Sequence, residues 1–187
     1  MPRTRRTVVA AAAVAFGLVA ALAGCDAGPV DPTSSPPPSP APPIFASDEE
    51  ALAAAEAAYA AYAAASAAIG SEGGAGVERL RELVDIELYE QSVQEFQQFE
   101  QLGLRSEGAS TVKNVVIADN RTMGDQVFLS AYLCRDVSEV RILGPAGDDV
   151  TPQDRDDLQP LLVAFQGNRE RLVISQIESW EDKALCE

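Results

Sequence analysis

The sequence predicts an α+β domain, with helices first and then a mostly antiparallel sheet of four to five strands, following a leader and a proline-rich linker. Three observations predict it. Alanine, the best helix former, dominates residues 51–68. Apolar residues then recur at spacings of 3 and 4 as far as Leu102. From Thr111 onward, β-branched and aromatic residues alternate with smaller or polar ones between glycine-bearing turns.

Residues 1–24 read as an export signal. Arg3, Arg5 and Arg6 precede an uncharged, alanine-rich run from Thr7 to Ala23. A basic flank followed by a short, moderately apolar stretch is the pattern of a cleaved leader. A membrane span would need ~20 strongly apolar residues. Arg5-Arg6 resembles a twin-arginine pair, but its flanks fit the general secretory route better. The run ends Leu22-Ala23-Gly24-Cys25, which resembles the lipobox of bacterial lipoproteins. The small residues admit the backbone to the signal peptidase, and the Cys25 sulfur is the nucleophile that accepts a diacylglyceryl group. The resemblance implies cleavage before Cys25 and fatty acyl chains, palmitate among them, on that residue. Each buried CH₂ would contribute ~0.8 kcal/mol to membrane anchoring. The expected location is the extracytoplasmic face of the cell membrane.

Residues 25–46 follow as a tether. Eight of the 21 residues from Asp26 to Ala46 are proline. Proline lacks a backbone donor and favours extended polyproline II, so this stretch reads as a disordered spacer reaching about 60 Å.

The domain spans residues 47–187. Ser47 with Glu50 three residues on forms a capping box. The helix it opens carries Leu52, Ala55, Tyr59, Tyr62, Ser66 and Ile69 on one stripe and stops at Gly70. A second helix is expected at Val77–Ile86, with Val77, Leu80, Leu83 and Val84 inward. A third is expected at Leu88–Leu102, with Tyr89, Val93, Phe96 and Phe99 inward. Strands are expected at Thr111–Ala118, Gln126–Arg135, Val137–Leu143, Leu158–Phe165 and Arg171–Trp180, with turns at 120–125, 144–147 and 167–170. In the second strand, Val127, Leu129, Ala131 and Leu133 share one face, and Phe128, Ser130, Tyr132 and Cys134 share the other.

Composition narrows the function. The formal net charge is −15, with 14 basic and 29 acidic residues. Such a surface repels nucleic acid and anionic head groups. The chain has no histidine and no Cys-x-x-Cys, so neither a metal site nor a cofactor is expected. The acidic stretch Asp148–Asp157 lacks the glycine and closing glutamate of a calcium loop and reads as solvated. With Cys25 lipidated, Cys134 and Cys186 remain. In an oxidising compartment they pair as a disulfide; the alternative is two buried thiols.

The stretch Ala55–Ala65 (AEAAYAAYAAA), Leu133-Cys134-Arg135-Asp136-Val137-Ser138, Ser179-Trp180 and Cys186 are similar to segments of small actinobacterial lipoproteins with the cone-shaped NTF2-like fold. The resemblance covers residues 48–187. The turn Gly167-Asn168-Arg169 departs from that group's Gly-Gly-Trp pattern. The resemblance implies a fold and a location more than an activity, and domains of this fold often dimerise through the exposed mouth. Enzymes of the isomerase and cyclase type also use it, with a carboxylate or histidine base and a tyrosine inside the cone. Here Tyr132 with Asp119 or Asp125 is the candidate set, and Tyr132, Phe128 and Trp180 are the candidate pocket residues. The preferred expectation is a non-catalytic module that binds a partner protein or a small apolar ligand.

Overall fold

The computed structural model describes residues 43–187; the leader, the lipobox with Cys25 and all but the last residues of the tether lie outside them. The domain opens with α1 (Asp48–Ser71) and a 3₁₀ turn (Val77–Leu80), followed by α2 (Ile86–Gln101). The strands are β1 (Arg105–Glu107), β2 (Thr111–Met123), β3 (Gln126–Asp136), β4 (Arg141–Leu143), β5 (Leu158–Gly167) and β6 (Leu172–Ser179). A second 3₁₀ turn (Lys183–Cys186) follows them. β2, β3, β5 and β6 form an antiparallel four-stranded sheet in that order, and β1 pairs with β4 in a separate two-stranded sheet. The α+β class expected from the sequence is the class observed.

The capping box at the start of α1 is reciprocal. The Glu50 N–H donates to Ser47 Oγ at 3.2 Å, and Glu50 Oε2 accepts from the Ala46 N–H at 2.6 Å. One donor that the first helical turn leaves free is thereby satisfied, and Glu50 also ties down the residue before the cap. By length and composition α1 is apolar enough to cross a membrane, yet Ala51, Ala55, Tyr59 and Ile69 are buried in a core shared with the sheet. The sheet supplies Val127, Leu129, Ala131 and Leu133 from β3, Leu161, Val163 and Phe165 from β5, and Ile174 from β6. Their odd numbers on β3 and β5 are the two-residue alternation at work.

The sequence expectation fails at residues 77–86. A 3₁₀ turn replaces the second helix, because the chain there serves the sheet instead. The Asp85 N–H donates to the Ile174 carbonyl at 2.8 Å, and the Ile174 N–H to the Leu83 carbonyl at 3.0 Å. Val84 bridges Ile174 in parallel, so this segment satisfies backbone groups on the edge strand β6 that helical bonding would leave open. Asp85 then caps α2, accepting from the Leu88 N–H at 2.9 Å. The α2 stripe faces inward as expected but is only half-buried; Ser92 is its one buried residue.

Two strands also differ in extent. β2 runs to Met123, so the expected turn over 120–125 shrinks to Gly124-Asp125. A two-residue hairpin needs positive φ, which Gly124 supplies at 64°. The strand expected at Val137–Leu143 begins only at Arg141, because Asp136, Val137 and Ser138 form a turn in which the Ser138 N–H bonds Asp136 Oδ1 at 3.0 Å.

Candidate functional site

β3 carries its inward side chains in the order Val127, Leu129, Ala131, Leu133 and Arg135. The first four are buried. The fifth reaches a cavity of about 250 Å³ at the end of the sheet, beneath the second half of α1. Tyr59, Tyr62 and Ser66 line it from the helix, Arg135 and Gln159 from β3 and β5, and Arg155 from the loop before β5. Ser106, Gly108, Ala109 and Ser110 form the wall on the β1–β2 side. Gly108 is required there: its φ is 82°, and an added Cβ would stand 2.0 Å from the Glu139 carbonyl oxygen.

The polar groups of the cavity are held in different ways. Arg155 is fully engaged, donating to the carbonyls of Val137 and Val140 at 3.0 and 2.9 Å and pairing with Asp157 at 2.9 Å. Arg135 is held by a neutral group. Its Nε and Nη2 both donate to Gln159 Oε1, at 3.0 and 2.5 Å, and the Gln159 amide is turned by its own bond to the Asp156 carbonyl at 3.1 Å. Among the described residues, no carboxylate pairs with Arg135. Burial pushes the Tyr59 and Tyr62 phenols above the usual tyrosine range, against the opposing pull of the Arg135 charge. Ser66 lies beside the Tyr62 phenol and lowers its pKa, yet the buried Ser66 Oγ meets hydrogen-bond geometry with no described group.

Tyr59 also borders a second, more apolar cavity of about 330 Å³, lined by Ala55, Val112, Val115, Leu133 and Phe165. No Asp or Glu lines the first cavity, and Glu56 is the one carboxylate beside the second.

The turn that supports the first cavity is fixed by Asp136. Lys113 Nζ stands 2.7 Å from Asp136 Oδ2, and the Ser138 hydroxyl donates to Oδ1 at 2.7 Å. Lys113, then Ser138, hold the Asp136 carboxyl well below the usual carboxylate range. A carboxyl whose native pKa is depressed stabilises the fold above its unfolded pKa of about 3.9, and that contribution fades as pH falls through the native pKa. Asp136→Asn is therefore expected to destabilise the domain at neutral pH. Urea unfolding should show the gap to the parent beginning to narrow below about pH 4. A gap independent of pH would mean that the charge of Asp136 plays no part.

The candidate residues read from the sequence separate into three groups. Leu22, Ala23, Gly24 and Cys25 lie outside the described residues. Cys134 and Cys186 are joined in a disulfide, which ties the terminal 3₁₀ turn to the outer face of β3. Tyr132 and Trp180 meet, with ring centroids 4.7 Å apart, and Phe128 shares their side of β3 by strand alternation. That side faces away from α1, so Tyr132, Phe128 and Trp180 lie apart from the cavity beneath the helix; Trp180 instead borders a surface pocket with Arg135, Gln159 and Pro160. The same placement separates Tyr132 from the cavity that a catalytic tyrosine would need to enter. Asp119 pairs with exposed Arg121 at 2.6 Å, and Asp125 occupies the hairpin turn.

Arg135, Gln159 and Ser66 escaped the sequence reading as site residues. A signal for each of them was present. Arg135 continues the inward parity of an apolar strand, and Ser66 sits on the stripe of α1 that carries Tyr59 and Tyr62. Gln159 likewise continues the inward parity of Leu161, Val163 and Phe165 on β5, but only the β3–β5 register sets it opposite Arg135.

No family model matches the chain, and no curated protein sequence matches it. Among solved structures it is similar to the crystal structure of the intermembrane space region of the chloroplast protein ARC6. The identity is 13%, the match covers 70% of this chain and 97% of that one, and the TM-score is 0.51. At that identity the likeness concerns the fold alone.

Proposed function

We propose that this chain is a membrane-anchored extracytoplasmic lipoprotein whose domain is a non-catalytic binding module of the NTF2-like, cone-shaped type. The anchor rests on the sequence: a basic leader, an uncharged run and Leu22-Ala23-Gly24-Cys25. The binding role rests chiefly on one structural observation, a cavity beneath α1 that offers hydroxyl, amide and guanidinium donors but no carboxylate to act as base. With no histidine in the chain, proton abstraction there has no ordinary carrier at neutral pH. A donor-rich, partly apolar cavity suits recognition of a small molecule. The finer fold reading draws on the long N-terminal helix laid over the inward face of a four-stranded sheet.

The anchor is tested in a bacterial host that processes lipoproteins. Wild-type protein should fractionate with membranes and show, by intact mass, loss of residues 1–24 and a gain of fatty acyl groups. Cys25→Ser should leave the membrane fraction or remain uncleaved. Membrane retention of Cys25→Ser with normal processing would overturn the anchor.

A further inference from the structure

We propose that the two cavities flanking Tyr59 form one binding site for an amphipathic carboxylate, with the carboxylate on Arg135 and the apolar body between α1 and β2. The inference rests on the binding-module reading above and names the ligand class.

The charge arrangement argues for the head group. A carboxylate of the protein is the ordinary partner for a half-buried guanidinium, since an unpaired charge is costly to bury. Arg155, in the same cavity, has such a partner in Asp157. Arg135 instead has Gln159, whose amide fixes the direction of the guanidinium without cancelling its charge. Guanidinium has five N–H donors in a planar fork suited to a carboxylate, and Gln159 engages only the Nε and Nη2 positions. Ser66 Oγ is buried, lacks a partner among the described residues and belongs to the same cavity. The Tyr59 and Tyr62 hydroxyls line the same cavity and can donate as well. The long-range field opposes an anion, because the chain carries −15 overall. Recognition must then come from short-range, desolvated contacts at Arg135, which favours a ligand that also buries apolar surface.

The second cavity supplies that surface. Val112, Val115, Leu133 and Phe165 line it, Glu56 is the one carboxylate beside it, so the ligand's anionic end is directed to the first cavity, and Tyr59 is common to both cavities. Leu133 and Arg135 are inward neighbours on β3. A ligand with its head group on the arginine can therefore lay its chain along the same strand. An inorganic anion would fill only the first cavity, and a neutral apolar molecule only the second.

The test is isothermal titration of the purified full chain with octanoate, 1-octanol, acetate and inorganic phosphate. Octanoate should bind at least tenfold tighter than each of the others, a difference in line with one charge-assisted contact plus a buried chain. Arg135→Gln should bring octanoate down to the octanol level. Ser66→Ala, a substitution that favours the helix, should weaken octanoate severalfold and leave octanol unchanged. The wild-type comparison needs no variant, so it stands even if Arg135→Gln fails to fold. Equal affinity for octanol and octanoate would overturn the anionic head group while leaving a ligand cavity. Acetate or phosphate binding as tightly as octanoate would overturn the amphipathic ligand. Failure of all four to bind would overturn both this inference and the cavity as a small-molecule site.

Discussion

Phe165→Ala is expected to lower the unfolding free energy by about 3–5 kcal/mol, the range found when a large aromatic is removed from a packed core. Phe165 is 2% exposed and among the largest fully buried side chains. It reaches inward from β5, at the point where the β5–β6 register shifts between Ala164 and Phe165. Phe165 also borders the apolar cavity with Leu133, Val112 and Val115, and its removal would enlarge an existing space rather than create one that neighbours can fill. Chemical denaturation should show a lower midpoint with an unchanged slope. A loss under about 1 kcal/mol would mean that the core repacks.

Removing the disulfide should cost a comparable amount. Cys134 and Cys186 close a loop of 52 residues, for which the chain-entropy model gives about 4 kcal/mol. The effect has a local side too. Besides its packing on the strands, the terminal 3₁₀ turn has two polar ties to the rest of the domain: the Asn114 side-chain amide donates to the Leu185 carbonyl at 2.8 Å, and exposed Lys183 pairs with exposed Asp156 at 3.0 Å. An exposed pair of that kind contributes roughly 0–1 kcal/mol. Without the bridge the turn should detach and uncover Cys134, now fully buried on the outer face of β3. The double variant Cys134→Ala/Cys186→Ala is expected to unfold at a much lower urea concentration, and reducing agent should shift the parent toward it but leave the variant unmoved. A variant within about 1 kcal/mol of the parent would show that the unfolded chain gains little freedom from losing the bridge.

The two effects differ in where they act. Phe165 stabilises the native state through packing, whereas the disulfide acts largely by restricting the unfolded chain. The loss caused by Phe165→Ala, measured against the parent, should therefore be the same under reducing and oxidising conditions, whereas the parent and Phe165→Ala should each be less stable when the disulfide is reduced.

Local sequence carried the helix starts, the strand faces and the pairing of the cysteines. Ser47 with Glu50 marked the start of α1 because a capping box uses only neighbouring residues. Val127, Leu129, Ala131 and Leu133 identified the buried face of β3 because alternation is a property of one strand. Cys134 and Cys186 could be paired because few cysteines leave few choices. Residues 77–86 carry helical spacing too, but bonds to Ile174 override it. Intrinsic preference, at a few tenths of a kcal/mol per residue, yields when an edge strand needs partners.

What only the tertiary structure decided is which side of the sheet faces α1 and the cavity beneath it. Tyr132, Phe128 and Trp180 looked like pocket residues because aromatics on a strand can face a cavity or the outer surface, and one sequence does not say where the covering helix lies. Once α1 lies on the odd-numbered side of β3, Arg135 turns inward beside Gln159 and Ser66, and the aromatic trio turns away. That choice comes from contacts between residues far apart in the chain, here α1 with β3 and β3 with β5. Periodicity records the spacing of side chains along one element, so it fixes which residues share a face and leaves open what that face meets.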